Sequence, residues 1–492
     1  MANEERWVAT GANKNSAPAA GKRRSSLRSA KVAGLSFLLS AAAFSAAPVQ
    51  AQSGEALKIT PVPTTPIADG FTLAAVGDLI YLRPMLATME KQSPSMLKIL
   101  READVTFGNF ETTVFDFKTF KGSPQAESGG TWMIGDPGIT TDVAKMGFDI
   151  VSHANNHATD WGVEGMIETI ERMDAAGLVN SGTGRTLAAA RAPRYFDAAA
   201  GRVGLVSASS SFTPMSRAAD PLGEVPGRPG LNPLRTERVG LVSADDLAVL
   251  SRLAETKPGA PVRLNNMRYR ATDNPGAGVT LAYEINAADE KANLLAVRQA
   301  KQNGNFAAFS LHTHEPGNWS EKPADFAVAF ARKVIDEGGD AFIGHGPHQL
   351  RGIEIYKGKP IFYSLGNFAM MNNSLDVAPA DMYDQYGVAP GSATTPELLQ
   401  ARNARQFSDP KLYESVIAVS RYVGGEVAEI RLYPIDLGVT GTGAGRGVPK
   451  MADAEVGRRI LERMQRLSEP FGTRITIEKG VGVIRTNAGT AR

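Results

Sequence analysis

Cysteine is absent from all 492 residues, which excludes disulfides, thiolate zinc sites, iron–sulfur clusters and a cysteine nucleophile. Any metal must therefore be held through nitrogen and oxygen. An excess of charge of one sign is missing too: 53 Lys and Arg stand against 51 Asp and Glu. Residues 1–51 carry seven of the basic residues and two of the acidic ones, leaving 46 against 49 in the rest. The pI of 8.6 thus belongs to the N-terminal segment, and the body of the chain has no broad basic footprint for nucleic acid. Long apolar runs are scarce. The uncharged stretch Val32–Ala47 falls short of the ~20 residues a membrane helix needs. No repeat at solenoid periods and no G-x-S-x-G elbow occurs, which speaks against a repeat array and a serine hydrolase.

What is present first suggests export. Lys22-Arg23-Arg24-Ser25-Ser26-Leu27-Arg28 precedes the uncharged run, and Val49-Gln50-Ala51 offers small residues for cleavage, so residues 1–51 read as an export signal resembling the twin-arginine type. This predicts a periplasmic or cell-envelope location. A Pro/Thr-rich linker covers 52–70. Beyond it, short apolar runs alternate with helical patterns, as in a sheet covered by helices. Strands are predicted at Phe71–Val76, Val105–Phe107, Phe148–Ser152, Val203–Ala208, Phe306–Leu311, Ala341–Ile343 and Pro360–Tyr363. Val163, Met166, Ile167, Ile170 and Met173 recur at helical spacing, with Asp160 as the expected N-cap. One domain is expected over 71–370, with an irregular insertion at about 213–289 that is rich in Pro and Gly. A second irregular segment follows at 371–410. Residues 411–492 are expected to form an α+β extension packing on the core.

The chemistry is concentrated in six histidines, all in three short segments: His153 and His157, His312 and His314, His345 and His348. Each segment begins where a predicted strand runs out. Two further strands end in carboxylates, at Asp78 and Glu111. In layered α/β folds the edge formed by strand ends is where ligands bind, because rigid backbone there carries loops with polar groups. Asp78, Glu111, Asn156, His312, His345 and His348 make six nitrogen and oxygen donors. That is too many for one catalytic ion and suits two divalent ions, Mn, Fe or Zn, sharing a carboxylate. Such a pair acts on esters and phosphoesters. His153 is read as structural.

Several segments carry a family resemblance: Gly77-Asp78-Leu-Ile-Tyr-Leu-Arg83, Asn109-Phe-Glu111, Ala154-Asn155-Asn156-His157-Ala-Thr-Asp160-Trp-Gly162, Gly344-His345-Gly346-Pro347-His348 and Tyr363-Ser364-Leu365-Gly366-Asn367-Phe368. Over roughly Phe71–Phe368 the chain resembles the CapA family of poly-γ-glutamate capsule synthesis proteins, a branch of the calcineurin-like metallophosphoesterases. The resemblance implies an α/β fold, a four-layer metallophosphoesterase-like sandwich of two facing β-sheets flanked by helices, with two metals at the strand ends. It casts Asp78 as the first metal ligand, Glu111 in the place of a bridging aspartate, Asn156 as the amide ligand, and His312, His345 and His348 as the late ligands. His157 becomes the general acid, and Arg83 a bidentate partner for phosphate. Asn109 and Asn367 are expected to support the ligands from behind.

Two departures stand out. Where the family commonly reads His-Trp-Gly-x-Glu this chain has His312-Thr313-His314-Glu315-Pro316, and Gly346 replaces a histidine often found there. His314 is expected to offset the lost imidazole from outside the ligand set. The resulting expectation is a metal-dependent hydrolase acting on a phosphoester or an anionic envelope polymer, in contact with capsule-synthesis machinery. The alternative is a non-catalytic component that grips such a polymer during assembly or export.

Overall fold

In the computed structural model of this protein, residues 60, 62–125, 130–273, 278–439 and 445–489 are described; the expected signal, 1–51, lies outside them. The unit that begins at Pro61 is built on two facing sheets. The first runs through β1 (Thr72–Ile80), β2 (Val105–Phe110), β3 (Ile150–Ser152) and β4 (Val179–Ser181) as parallel neighbours. The second has β5 (Gly201–Ser209), β6 (Phe306–His312), β7 (Ala341–His345) and β8 (Lys359–Phe362), again parallel. β6 is buried at every position. A strand covered on both faces reads as one apolar run rather than an alternation, which is why all seven predicted strands occur.

Three apolar clusters fill the spaces between four layers. Leu73, Phe107 and Ile150 of the first sheet meet Leu205, Phe306 and Ile343 of the second in the central one. Outside the first sheet, the helices α1 (Pro94–Glu102), α2 (Ile139–Met146) and α3 (Gly162–Ala175) bury Met96, Leu100, Val143 and Met173. Outside the second, α4 (Ala287–Gln302) and α5 (Asp325–Asp336) bury Val297, Phe330 and Val334 against Phe309 and Phe342. The fold is therefore the expected four-layer α/β sandwich.

The C-terminal residues go further than packing on this core. β9 (Asn367–Met370), β10 (Glu414–Val423), β11 (Glu426–Asp436) and β12 (Val481–Arg485) all belong to the first sheet. β1 divides one edge between two partners: Thr72–Ala75 pair antiparallel with β10, and Asp78–Ile80 pair parallel with β9. The switch occurs at Gly77, where a Cβ would lie 1.8 Å from the Gly366 carbonyl oxygen. Only glycine lets that loop approach closely enough to set Asn367 opposite Asp78.

The two segments expected to be irregular are partly ordered. Within the insertion, the breakers Pro221, Pro226, Pro229 and Pro233 all fall before a small four-stranded sheet of Thr236–Val242, Val262–Leu264, Met267–Ala271 and Thr280–Ile285. In 371–410, the helices Ala380–Gln385 and α6 (Thr395–Gln406) form. α6 opens with a capping box in which Thr394 and Glu397 satisfy each other's backbone N–H groups.

Candidate metal centre

The parallel strands of both sheets deliver their C-terminal ends to one edge. Register aligns the polar residues there: Asp78 stands opposite Asn109, and His312 opposite His345. Asp78, Glu111, Asn109, His312 and His345 are fully buried, and Asn156, His157 and His348 nearly so. Asp78 Oδ1 lies 3.7 Å from His345 Nδ1, and Oδ2 lies 3.4 Å from His348 Nδ1. Glu111 Oε1 is 4.0 Å from His312 Nε2 and 3.9 Å from His157 Nε2. Asn109 Nδ2 donates to Asp78 Oδ1 at 2.9 Å and Glu111 Oε2 at 3.3 Å. Asn367 Oδ1 lies 3.0 Å from His348 Nδ1.

Burial would raise Asp78, but His348, His345 and the Asn109 amide bring its carboxyl below the ordinary range. Glu111 goes the other way, pushed well above its usual value by burial and by the Asp78 charge. Burial, together with the imidazoles of His314, His345 and His348, drives His312 well below its ordinary value. Burial also takes His345 down to about 4. His312 and His345 are thus neutral at physiological pH, the form that ligates metals.

Three groups of donors can each close on one cation, with ligand atoms within 4.8 Å of one another: Asp78, His312 and His345; Glu111, His312 and His314; Asp78, Glu111 and His348. The residues fit a divalent ion on independent grounds. Glu111 Oε1 is buried without a hydrogen-bond partner, and His312 Nδ1 faces His345 Nδ1 at 3.0 Å. A cation held there would satisfy both the orphaned oxygen and the crowded nitrogens.

Residues 72–372 match the family model described as bacterial capsule synthesis protein PGA_cap. The chain belongs to this family. The protein y4sH of Sinorhizobium fredii (strain NBRC 101917 / NGR234) is 47% identical over 441 residues, 87% of this chain and 95% of its own. The PGA biosynthesis protein CapA of Bacillus subtilis (strain 168) is 26% identical over 314 residues, 63% of this chain and 66% of its own. Among solved structures, a putative 5'-nucleotidase from Staphylococcus aureus in complex with alpha-ketoglutarate aligns with 81% of this chain and 58% of its own, at 10% identity and a TM-score of 0.33. At that level neither its activity nor its ligand bears on this chain.

Both departures from the family pattern have a local account. His314 Nε2 sits 3.0 Å from His312 Nε2, so the ring stands among the donors rather than behind them. Gly346 has φ +112°, and a Cβ there would meet the Thr313 backbone at 3.0 Å. Its N–H points instead at Asp78 Oδ2, 3.2 Å away.

A cavity of about 260 Å³ opens over the cluster, lined by Asn156, His157, His314 and His348 among others. Arg83, expected to meet phosphate, is half-buried just after β1 and is not among the lining residues. Asp160, expected to cap α3, does not do so: the N-cap is Trp161, with no side-chain cap. The Asp160 carboxylate instead lies 2.7 Å from His157 Nδ1 and accepts from Met133 N at 2.7 Å. Sequence reasoning also passed over Asn155, which donates to Asn109 Oδ1 and the Phe110 carbonyl and accepts from His157 N. The adjacency of Asn155 to Asn156 was the available signal.

His153 lies beneath this layer, with Nδ1 2.9 Å from Thr183 Oγ1, and burial pushes it down to about 4. Its unfolded value is ~6.5. Between pH 6.5 and 4 the unfolded chain binds a proton the folded one refuses, so stability is lost as pH falls through that window, by up to about 3 kcal/mol from this residue. Urea unfolding at stepped pH should show a shallower acid slope in His153→Gln; an unchanged slope would refute the assignment.

Proposed function

We propose that this chain is a metal-dependent hydrolase of the phosphoesterase type, serving capsule or poly-glutamate biosynthesis at the cell envelope. The observation that carries the reading is one cavity that joins a buried carboxylate–imidazole cluster to a carboxylate-oriented histidine. Asp78, Glu111, Asn156, His312, His314, His345 and His348 would hold two divalent ions, Mn, Fe or Zn. A divalent cation there supplies Lewis-acid polarisation and lowers the pKa of water.

The remaining steps belong to the side chains. His157 Nδ1 is fixed by Asp160 at 2.7 Å, which leaves Nε2 facing the cluster, 3.9 Å from Glu111 Oε1. With Nδ1 held by Asp160, Nε2 of His157 is the atom placed to deliver a proton to the oxygen of the leaving group. The buried walls exclude bulk water and strengthen each of these contacts.

The substrate is a phosphoester of an envelope polymer or its precursor, reached through a signal in residues 1–51 and in company with capsule-synthesis machinery. No helix among the described residues is long and apolar enough to cross a membrane. The test is elemental analysis of the purified full chain, followed by assay with Mn or Zn on an aryl phosphate and an aryl phosphodiester. Bound metal with hydrolysis of either ester is the expected result. Metal-free protein that turns over neither ester yet retains poly-γ-glutamate would establish a polymer-binding component instead.

A further inference from the structure

We infer that the metal cavity continues into a subsite for a neutral sugar ring, which makes the substrate a glycosyl phosphoester or a phosphate-bearing glycan. The inference deepens the phosphoesterase reading and rests on it for the reacting bond. A groove of about 640 Å³ adjoins the cavity and shares Asn318 and Phe407 with it, a size within the range of small-molecule sites (~300–1,000 Å³).

The groove has two aromatic walls. Trp319 is 81% exposed, which forgoes the stabilisation that burying so large a side chain brings. Its indole is nevertheless braced, because a Cβ on Gly317 would meet Trp319 Nε1. The Nε1 side of the ring is therefore held close to the glycine backbone while most of the side chain stays open to solvent. The second aromatic lining residue, Phe407, is stacked by the Arg402 guanidinium at 4.8 Å. Arg402 is buried and donates to Thr131 Oγ1 and the Asn372 carbonyl, so this wall is set before any ligand arrives.

Composition selects the occupant. The polar side chains lining the groove are Asn318, Gln385, Gln406 and Asp409, with no Lys or Arg among its described lining residues. A run of γ-linked glutamates would bring carboxylates next to Asp409 with no cation in that lining to meet them, and the nearby Lys411 and Arg466 are already paired with Glu321. A sugar presents C–H groups to an aromatic face and hydroxyls at its rim, and amides both donate to and accept from hydroxyls. Asn318 also ties the groove to the chemistry: its Oδ1 lies 2.7 Å from His314 Nδ1, whose other nitrogen faces His312. Asn318 and Trp319 follow shortly after the segment His312–Pro316 that departs from the family's His-Trp-Gly-x-Glu.

The test is calorimetric titration of the full chain with maltotriose, cellotriose, chitotriose and tri-γ-glutamate. At least one neutral trisaccharide should bind, about tenfold or more weakly in Trp319→Ala and within about threefold of wild type in Trp319→Phe. Binding of tri-γ-glutamate alone, binding of no probe, or an unchanged sugar affinity in Trp319→Ala would each overturn the subsite. The titration needs no turnover, so the two readings fail separately. Trp319-dependent sugar binding without phosphoester hydrolysis keeps the subsite and removes the hydrolase; hydrolysis without sugar binding does the reverse.

Discussion

Asp78→Ala is expected to lose metal on purification and to hydrolyse an aryl phosphate about 10³-fold more slowly than wild type. Asp78 belongs to two of the three donor groups that can close on a cation, and its two oxygens address different imidazoles, His345 and His348. Removing it also strands the Gly346 N–H and takes one of its two carboxylate partners from the Asn109 amide. The rate estimate follows from the several kcal/mol of transition-state charge stabilisation that a catalytic cation supplies. Asp78→Asn keeps the volume and separates charge from packing: it should fold as well as wild type while still failing to retain metal. Elemental analysis beside a thermal melt checks both variants. Full metal content and full turnover in Asp78→Asn would remove Asp78 from the site.

His157→Ala should leave metal content unchanged and lower turnover by about 10² to 10⁴, the span of general acid–base catalysis. The distinguishing comparison is Asp160→Asn. If Asp160 only supported α3, its loss would cost stability of order 1 kcal/mol and spare the rate. Because its carboxylate holds His157 Nδ1, the variant is expected to slow turnover through a misplaced proton, with a smaller change in KM than in kcat. Esters with better leaving groups need less protonation, so the defect of both variants should shrink on a nitrophenyl ester relative to a phenyl ester. An equal defect on both esters would exclude proton delivery by His157.

The strands were readable because chains buried on both faces spell continuous apolar runs, and their C-terminal ends were marked by an abrupt change to Asp, Asn, Glu and His. β6 shows the signal plainly: Phe306 to Leu311 is apolar but for Ser310, and His312 follows at once. Asp160 shows where such reading fails. An acidic residue just ahead of a helix looks the same whether it caps that helix or binds a histidine three positions earlier. The partner that decides it, Met133 N, lies far off in sequence. Phe407 and Arg402 gave no signal at all, because an arginine and a phenylalanine near a helix end carry no distinctive spacing.

The C-terminal strands repeat the lesson at the level of topology. Alternation in 414–436 announces a hairpin, but pairing partners are set by which edge of β1 is open, and that depends on Gly77 meeting Gly366. Sequence alone settled the element types and the absence of thiolate chemistry and marked out candidate donors, since these follow from periodicity and composition within short windows. Tertiary structure alone decided that His314 stands among the donors, that Arg83 lies outside the cavity lining, and that Trp319 and Phe407 face a common groove. Those depend on how elements brought together by the fold are placed, and they exist only once two sheets have packed face to face.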